Sequence, residues 1–244
     1  MDVGLQIFPN HFERELRLAG LLCNKNKSAI DIGANQGIYS HFMAKAAKNV
    51  VAFEPNIDLW ENLQKVLSGN VELEASALSD ICSSAVMKID RRNTGISTIE
   101  EKNNFSCTDP ASYFFRRDVQ TRTLDSFEFS NVSLIKIDVE GHEEAVIRGA
   151  RETIKLNQPV LIVESEDRHN AGAPHRLAKG LAEMGYEGFY LFESTLRKFS
   201  DLRAADTDTA NLFDGSAPYI NNFIFVPANQ PALIGQIEEF ARRK

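Results

Sequence analysis

The sequence predicts a doubly wound α/β fold, with a mostly parallel sheet, helices on both faces and an antiparallel edge strand near the C-terminus. Short apolar segments alternate with amphipathic segments along most of the chain, as repeated strand–helix units do. The runs 134–137 and 160–163 are almost continuously apolar, which is typical of parallel strands buried on both faces. No convincing long helix separates the strand-like segments 188–192 and 222–226, which favours an antiparallel pair or a hairpin there.

Residue spacing predicts each element in turn. Apolar residues that recur every three or four positions indicate helices, and short apolar runs that end at glycine, proline or an acid indicate strands. The predicted helices cover 12–22, 38–48, 57–67, 143–156, 174–184 and 231–243. The predicted strands cover 28–33, 50–53, 71–78, 85–89, 119–124, 134–138, 159–163, 188–192 and 222–226. Between them, the segment 91–110 is polar and irregular, without a strong period.

Length and composition limit the possible classes of protein. The 244 residues carry a formal net charge of −7 and are 43% hydrophobic. We predict an N-terminal helical extension over 1–27, a main domain over 28–228 and a helix over 229–244 packed on the same domain. The composition excludes disordered, collagen-like and disulfide-framework proteins, and the acidic balance argues against a nucleic-acid partner. Oligomeric state is not predicted.

The cysteines and the apolar runs bear on the cellular compartment. Cys23, Cys82 and Cys107 are scattered and form no CxxC pair, as in a reduced intracellular protein. The N-terminal segment has no apolar run of signal-peptide length, and no stretch approaches the ~20 apolar residues of a membrane span. We therefore expect a cytoplasmic protein without membrane insertion.

Acidic residues follow several of the predicted strands. Asp31, Glu54, Asp138 and Glu164 fall at or just past strand ends, which places four carboxylates along one rim of the sheet. Ligands of doubly wound folds bind beyond this rim, where the strand order reverses. Glu54 lies about 20 residues beyond Gly33, the distance at which an acid accepts hydrogen bonds from ribose hydroxyls.

The segment 31–37, Asp-Ile-Gly-Ala-Asn-Gln-Gly, connects a predicted strand to a predicted helix. A dinucleotide fold requires G-x-G-x-x-G, in which the middle glycine lets the backbone approach a pyrophosphate. Only Gly33 matches, because Asn35 and Ile38 occupy the other two positions. S-adenosylmethionine contains adenosine without phosphates and carries a sulfonium and an ammonium, which an acid such as Asp31 suits. The alternative is a tight turn without a ligand.

Several motifs together resemble the FkbM-type methyltransferase family. They occur in order from about residue 28 to residue 227 and are AIDIGANQGIY at 29–39, VAFEP at 51–55, ALSD at 77–80, TLD at 123–125, IKIDVEGHE at 135–143, VLIVE at 160–164 and NFIFVP at 222–227. The resemblance implies a class I, Rossmann-like fold that depends on S-adenosylmethionine and usually methylates a hydroxyl oxygen of a sugar or related compound.

The resemblance also implies a set of cofactor-binding residues. Glu54 would hold the ribose, Ser76 and Ala77 would border the adenine, and Asp138 would face the sulfonium. The full expected set is Asp31, Gly33, Asn35, Gly37, Glu54, Pro55, Ser76, Ala77 and Asp138. Asp138 has an alternative structural role as a cap for the helix that follows.

Methyl transfer to an aliphatic hydroxyl needs alignment of the reacting atoms and a base that takes the proton. Our candidates for that base are Asp138, His142 and His169. Nearby acids permit a divalent-metal hypothesis, but no fixed ligand spacing supports it, so we predict no metal site.

The predicted function is an S-adenosylmethionine-dependent O-methyltransferase that acts on a small-molecule hydroxyl, foremost a carbohydrate, with S-adenosylhomocysteine as product. An NAD-dependent oxidoreductase and a catalytically silent S-adenosylmethionine-binding protein are the alternatives.

Overall fold

The computed structural model describes residues 14–91, 93–103, 114–211 and 219–243. The strands are β1 Ser28–Ile32, β2 Asn49–Phe53, β3 Val71–Glu74, β4 Ala77–Leu78, β5 Ser83–Asp90, β6 Phe114–Arg122, β7 Val132–Ile137, β8 Val160–Glu164, β9 Tyr186–Phe192, β10 Thr195–Lys198 and β11 Asn222–Pro227. The helices include α1 Arg14–Leu22, α2 Ile38–Ala44, α3 Trp60–Val66, α4 Glu143–Arg148, α5 Arg151–Asn157, α6 Ala173–Glu183 and α7 Pro231–Arg242.

The main sheet has the strand order β10-β9-β11-β8-β7-β1-β2-β3. Strands β8, β7, β1, β2 and β3 are parallel, whereas β11 is antiparallel to both β8 and β9. The predicted fold class is therefore confirmed, including the antiparallel edge. From β1 the chain builds the sheet first towards β3 and later, from β7, in the opposite direction. The strand order reverses between β1 and β7, which is where a ligand crevice forms in such sheets.

Alternate residues of each central strand supply the two cores. In β7, Ile135 and Ile137 pack with α4, α5 and α6 on one face of the sheet, whereas Leu134 packs on the other face. That second face is covered by α1, α2 and α7 through Leu18, Met43 and Ile237. Burial of each such side chain contributes about 1.5–3 kcal/mol. The central strands are consequently held from both sides, and their carboxyl ends form a rigid rim.

The predicted strand over 71–78 is wrong in its extent. The chain breaks after Glu74, and β4 pairs with β6 in a separate three-stranded sheet of order β4-β6-β5. Strand β6 is also longer than the predicted 119–124, because its residues pair along all of β5. The backbone groups of β4 are satisfied by a strand more than forty residues away, which local spacing could not show.

The predicted helix over 143–156 is divided into α4 and α5 at Gly149. A Cβ on Gly149 would lie 2.0 Å from the Ser79 carbonyl oxygen, so the chain passes too close to Ser79 for any side chain. Asp125 then caps the start of α5, accepting hydrogen bonds from the backbone N–H of Thr153 at 2.7 Å and from its hydroxyl at 2.8 Å. This cap is remote in sequence, unlike the neighbouring caps that sequence patterns reveal.

Within the described ranges, no helix combines the length and the apolarity needed to cross a bilayer.

Candidate active site

A cavity opens at the carboxyl ends of β1, β2 and β7, where the strand order reverses. Its walls come from the loops after these strands, from β4 and β5, and from the segment after β5. The lining residues are Ile32, Gly33, Asn35, Phe53, Glu54, Pro55, Ser76, Ala77, Leu78, Met87, Thr94, Gly95, Ser97, Thr98, Ile99, Asp138, Val139 and Glu140.

Gly33 sets the distance between the loops after β1 and β7. Its φ is +81°, and a Cβ at this position would lie 1.8 Å from the carbonyl oxygen of Asp138. The Asp138 N–H in turn donates to the Ile32 carbonyl at 3.0 Å. Only glycine allows both the left-handed backbone and this approach. The two loops therefore form one continuous wall.

Glu54 is a buried carboxylate whose two oxygens are both aligned by backbone. Oε2 accepts a hydrogen bond from the Asn35 N–H at 2.7 Å, and Oε1 accepts one from the Asn56 N–H at 2.7 Å. Burial raises the pKa of Glu54 to about 7, although these two hydrogen bonds act in the opposite direction. Each oxygen retains acceptor capacity towards the cavity. The side chain is therefore held ready to bind a pair of hydroxyls.

Asp31 and Gly37 lie behind this wall and do not line the cavity. Asp31 accepts a hydrogen bond from the Ser40 hydroxyl at 2.5 Å, and burial raises its pKa to about 6. Gly37 precedes α2 with φ +76°, and a Cβ there would lie 2.8 Å from a Leu63 methyl carbon. Both residues contact the elements behind the loop, and their role in cofactor binding stays a prediction.

Residues 94–103, here called the strap, run past the cavity, and Thr94, Gly95, Ser97, Thr98 and Ile99 line it. The Thr94 hydroxyl donates to the Asn35 side-chain oxygen at 2.9 Å, and the Thr98 hydroxyl donates to the Glu140 carbonyl at 2.9 Å. At the C-terminal end of the strap, the Lys88 ammonium donates hydrogen bonds to the backbone carbonyls of Glu100, Glu101 and Asn103 at 3.2–3.3 Å. The cavity beneath is about 120 Å³.

Asp138 lies across the cavity from Glu54, beside a buried cation. The Lys136 ammonium is 3.8 Å from carboxylate oxygens of both Asp138 and Glu164, and it lies 4.7 Å from the centre of the Tyr39 ring. Lys136 is only 1% exposed, so these carboxylates balance a charge that would otherwise be costly to bury.

His142 does not line this cavity. Its Nε2 is 2.9 Å from the Ser79 hydroxyl and its Nδ1 is 3.0 Å from a Glu100 carboxylate oxygen. The ring lines a second, polar cavity of about 320 Å³ with Arg148 and Arg176. The three predicted base candidates therefore do not converge, because Asp138 lines the first cavity and His169 lies behind Glu140.

A family model, described as the methyltransferase FkbM domain, matches residues 31–188. The match covers more than half of the chain and includes the end of β1, all of β2, β7 and β8, and the loops that form the cavity. The chain belongs to the FkbM methyltransferase family. The predicted family is thus confirmed.

A solved FkbM methyltransferase has the same fold, and two further solved structures are similar to this chain. The FkbM methyltransferase of Methylobacillus flagellatus KT aligns with a TM-score of 0.53 and 15% sequence identity. The alignment covers 83% of this chain but only 44% of the length of that protein. An rRNA methylase of Streptococcus thermophilus aligns with a TM-score of 0.48 and 10% identity, over 87% of this chain and 93% of that one. The protein SMU.1697c of Streptococcus mutans, solved in complex with SAH, aligns with a TM-score of 0.42 and 12% identity. That alignment covers 87% of this chain and 93% of SMU.1697c. No curated protein sequence matches this chain.

The cavity of this FkbM methyltransferase suits the methyl donor that the sequence predicts. Glu54 presents aligned acceptor oxygens, Phe53, Leu78 and Met87 supply apolar surface, and Asp138 supplies negative charge. Of the nine predicted cofactor residues, seven line the cavity: Gly33, Asn35, Glu54, Pro55, Ser76, Ala77 and Asp138. Sequence reasoning missed Met87, because its strand joins a separate sheet with β4 and β6 that local spacing does not reveal. It also missed the strap residues, because the irregular segment after β5 carries no period that could place them.

Metal-ligating side chains are not grouped in the described part of the chain. There, no three His, Cys, Asp or Glu residues are arranged so that they could hold a metal ion.

The buried acids of the FkbM methyltransferase make its stability depend on pH. Burial raises the pKa of Glu54 to about 7 and that of Glu143 to about 8, above the value of about 4.3 in an unfolded chain. The folded state therefore holds protons that the unfolded state has released, so stability falls as pH rises towards these folded values. We expect the free energy of unfolding, measured with urea, to fall from about pH 6.5 to about pH 8.

The same measurement separates this effect from that of His169. Burial lowers the pKa of His169, which makes stability rise with pH, but only up to the unfolded histidine pKa of about 6.5. Above that pH the acids alone decide the slope. A free energy of unfolding that rises across the window would contradict the burial of uncompensated carboxyls.

Proposed function

We propose that this FkbM methyltransferase transfers the methyl group of S-adenosylmethionine to a hydroxyl oxygen of a small molecule, foremost a sugar or glycoconjugate. One observation carries the proposal: a single cavity holds the aligned Glu54 carboxylate on one side and the acids Asp138 and Glu140 on the other. The first suits the ribose of the methyl donor, and the others suit a cation and the proton of an acceptor hydroxyl.

Different residues of the cavity have different roles in binding the methyl donor. Glu54 would accept hydrogen bonds from the two ribose hydroxyls, and Phe53, Leu78 and Met87, which line the cavity, would contact the adenine. Asp138 would complement the positive charge of the methyl donor, and the strap, which is bonded to Asn35 and Glu140, would shield its side of the cavity from water. S-adenosylmethionine itself supplies an activated methyl group on sulfur. What remains for the protein is to align the acceptor oxygen and to remove its proton.

The acceptor preference rests on the chemistry of the same wall. Glu140 and Asp138 are hydrogen-bond acceptors, and Ser97 and Thr98 add hydroxyls that can donate or accept. Such a lining suits a polyhydroxylated molecule. The formal charge of −7 provides no general attraction for a phosphate backbone, so a nucleic-acid acceptor is not proposed.

The test uses S-adenosylmethionine with a labelled methyl group. The protein is incubated with free sugars, nucleotide sugars, a glycolipid and unmodified RNA, and label transfer is measured for each acceptor. We expect transfer to at least one carbohydrate, with S-adenosylhomocysteine released in equal amount. Transfer to RNA alone would overturn the acceptor assignment. Calorimetry distinguishes an oxidoreductase, which would bind NAD but not S-adenosylmethionine, from a silent binding protein, which would bind the donor without transfer to any acceptor.

A further inference from the structure

Glu140 and His169 form a buried pair at the acceptor side of the cavity. Glu140 Oε2 and His169 Nε2 are 3.0 Å apart, and the two residues are 9% and 7% exposed. Glu140 lines the cavity next to Asp138, whereas His169 lies behind it. A carboxylate and an imidazole at this distance can exchange one proton between them.

The backbone holds Glu140 in a conformation that its side chain does not favour. Its φ is +54°, in the left-handed region, and its carbonyl accepts hydrogen bonds from the Thr98 hydroxyl at 2.9 Å and the Asn103 amide at 2.7 Å. The next residue, Gly141, has φ +103°, and a Cβ there would lie 3.0 Å from the His169 Cβ. Backbone strain of this kind persists only where surrounding contacts maintain it, and it concentrates at functional sites.

The hydrogen bonding of the pair is incomplete. His169 is at the right distance from Glu140 Oε2, but no donor in the described ranges is aligned with this buried oxygen. A buried carboxylate oxygen without an aligned donor costs free energy. Oε2 is the oxygen that faces His169, so the pair has room for one shared proton on this side.

We propose that Glu140 and His169 together are the base that receives the proton of the acceptor hydroxyl, an inference that rests on the proposed O-methyltransferase function. The acceptor oxygen uses a lone pair to form its bond to the methyl carbon as the carbon–sulfur bond breaks and that electron pair stays on sulfur. The hydroxyl proton passes to the Glu140 carboxylate, which lines the cavity and whose Oε2 lies 3.0 Å from His169 Nε2, so that the pair holds the proton. The products are a methyl ether, a neutral thioether and the protonated pair.

Charged neighbours tune this pair. Burial and the adjacent Asp138 raise the pKa of Glu140, with Glu166 and Glu143 adding to this effect and Arg168 opposing it. Burial and the charge of Arg168 lower the pKa of His169, whereas the charges of Glu166 and Asp138 raise it by a smaller amount. The free protein therefore holds a proton on the pair at neutral pH. A bound cation beside Asp138 makes the anionic form more favourable, so the methyl donor itself prepares the base.

The test compares Glu140→Gln and His169→Asn with the matched control Glu144→Gln. Glu144 lies two residues past His142 at the start of α4, pairs with Arg176 and lines only the second cavity. Binding of S-adenosylmethionine is measured by calorimetry at about pH 8 in buffers of different ionisation enthalpy, which gives the protons released. We expect the wild type and Glu144→Gln to release protons when the donor binds, and Glu140→Gln to release clearly fewer. The affinity of Glu140→Gln for the donor is expected to differ from that of the wild type by less than about threefold.

Turnover on the carbohydrate that accepts the labelled methyl group supplies the second measurement. Glu140→Gln is expected to lower kcat by about 10²–10⁴-fold and to remove the rise of kcat with pH, and His169→Asn to shift that rise. Unchanged proton release and an unchanged pH profile in Glu140→Gln would overturn the proposal. So would a donor affinity weakened more than tenfold with kcat retained, because Glu140 would then be a donor ligand. If no variant and no wild type binds the donor, the proposed function fails instead, and the two failures are thus distinguishable.

Discussion

Replacement of Glu54 with glutamine is expected to weaken S-adenosylmethionine binding by about 100-fold or more. A hydrogen bond to a charged group contributes about 1.5–3 kcal/mol, and two ribose hydroxyls would be affected. Each 1.4 kcal/mol is a tenfold change in affinity. Glutamine also turns an NH₂ group towards the Asn35 or Asn56 N–H, both of which now donate to the carboxylate at 2.7 Å. Calorimetry at constant pH measures the effect.

Glu74→Gln is the matched control for this change. Glu74 ends β3, beside Phe53 in the sheet register, and does not line the cavity. Its replacement removes the same charge from the neighbouring strand end and is expected to leave affinity within about threefold, because solvent and salt screen a partly exposed charge outside the cavity. An affinity of Glu54→Gln within threefold of the wild type would refute the ribose-binding role of Glu54, whatever the control shows.

Replacement of Gly33 with alanine is expected to reduce the free energy of unfolding by about 2–5 kcal/mol. The left-handed backbone, with φ +81°, costs a non-glycine residue about 1–2 kcal/mol. The Cβ would also lie 1.8 Å from the Asp138 carbonyl oxygen, and relief of that overlap by backbone movement costs about 1–3 kcal/mol more. Urea unfolding measures this loss, and the displaced Asp138 loop should weaken donor binding as well.

Gly69→Ala provides the comparison, because a Cβ at Gly69 would have no atom within 4 Å. This second variant is expected to unfold within about 0.5 kcal/mol of the wild type. If Gly33→Ala were as stable as Gly69→Ala, the fold would not require the close approach of the loops after β1 and β7. The description of these two loops as one continuous wall would then be wrong.

A large part of the site follows from local sequence. Gly33, Asn35 and Glu54 are adjacent to strand ends that the apolar pattern predicts, and the parallel sheet brings those ends to one rim. The prediction of Asp31 and Gly37 as binding residues is not supported by the cavity lining, since both lie behind the wall. A strand-end acid can point to either side of the sheet rim, and the side depends on the neighbouring strand and helix.

The division of the predicted helix at Gly149 and the cap by Asp125 also depend on distant parts of the chain. The spacing predicts a continuous helix through Gly149 because its neighbours keep the helical period, but the contact of Gly149 with Ser79 comes from a chain segment seventy residues away. Spacing within a segment reports the face that is buried. It carries no information about which distant backbone comes within van der Waals distance.

Local sequence patterns predict the fold class, the family and the carboxylates near the strand ends, because each depends on short-range order: apolar period, glycine positions and contiguous motifs. The folded chain was needed to show that the strap lines the cavity, that Glu140 faces it with His169 behind, and that His142 faces a separate cavity. These placements depend on contacts between segments far apart in the chain, and the free energy that fixes them comes from packing and hydrogen bonds that exist only once the chain has folded.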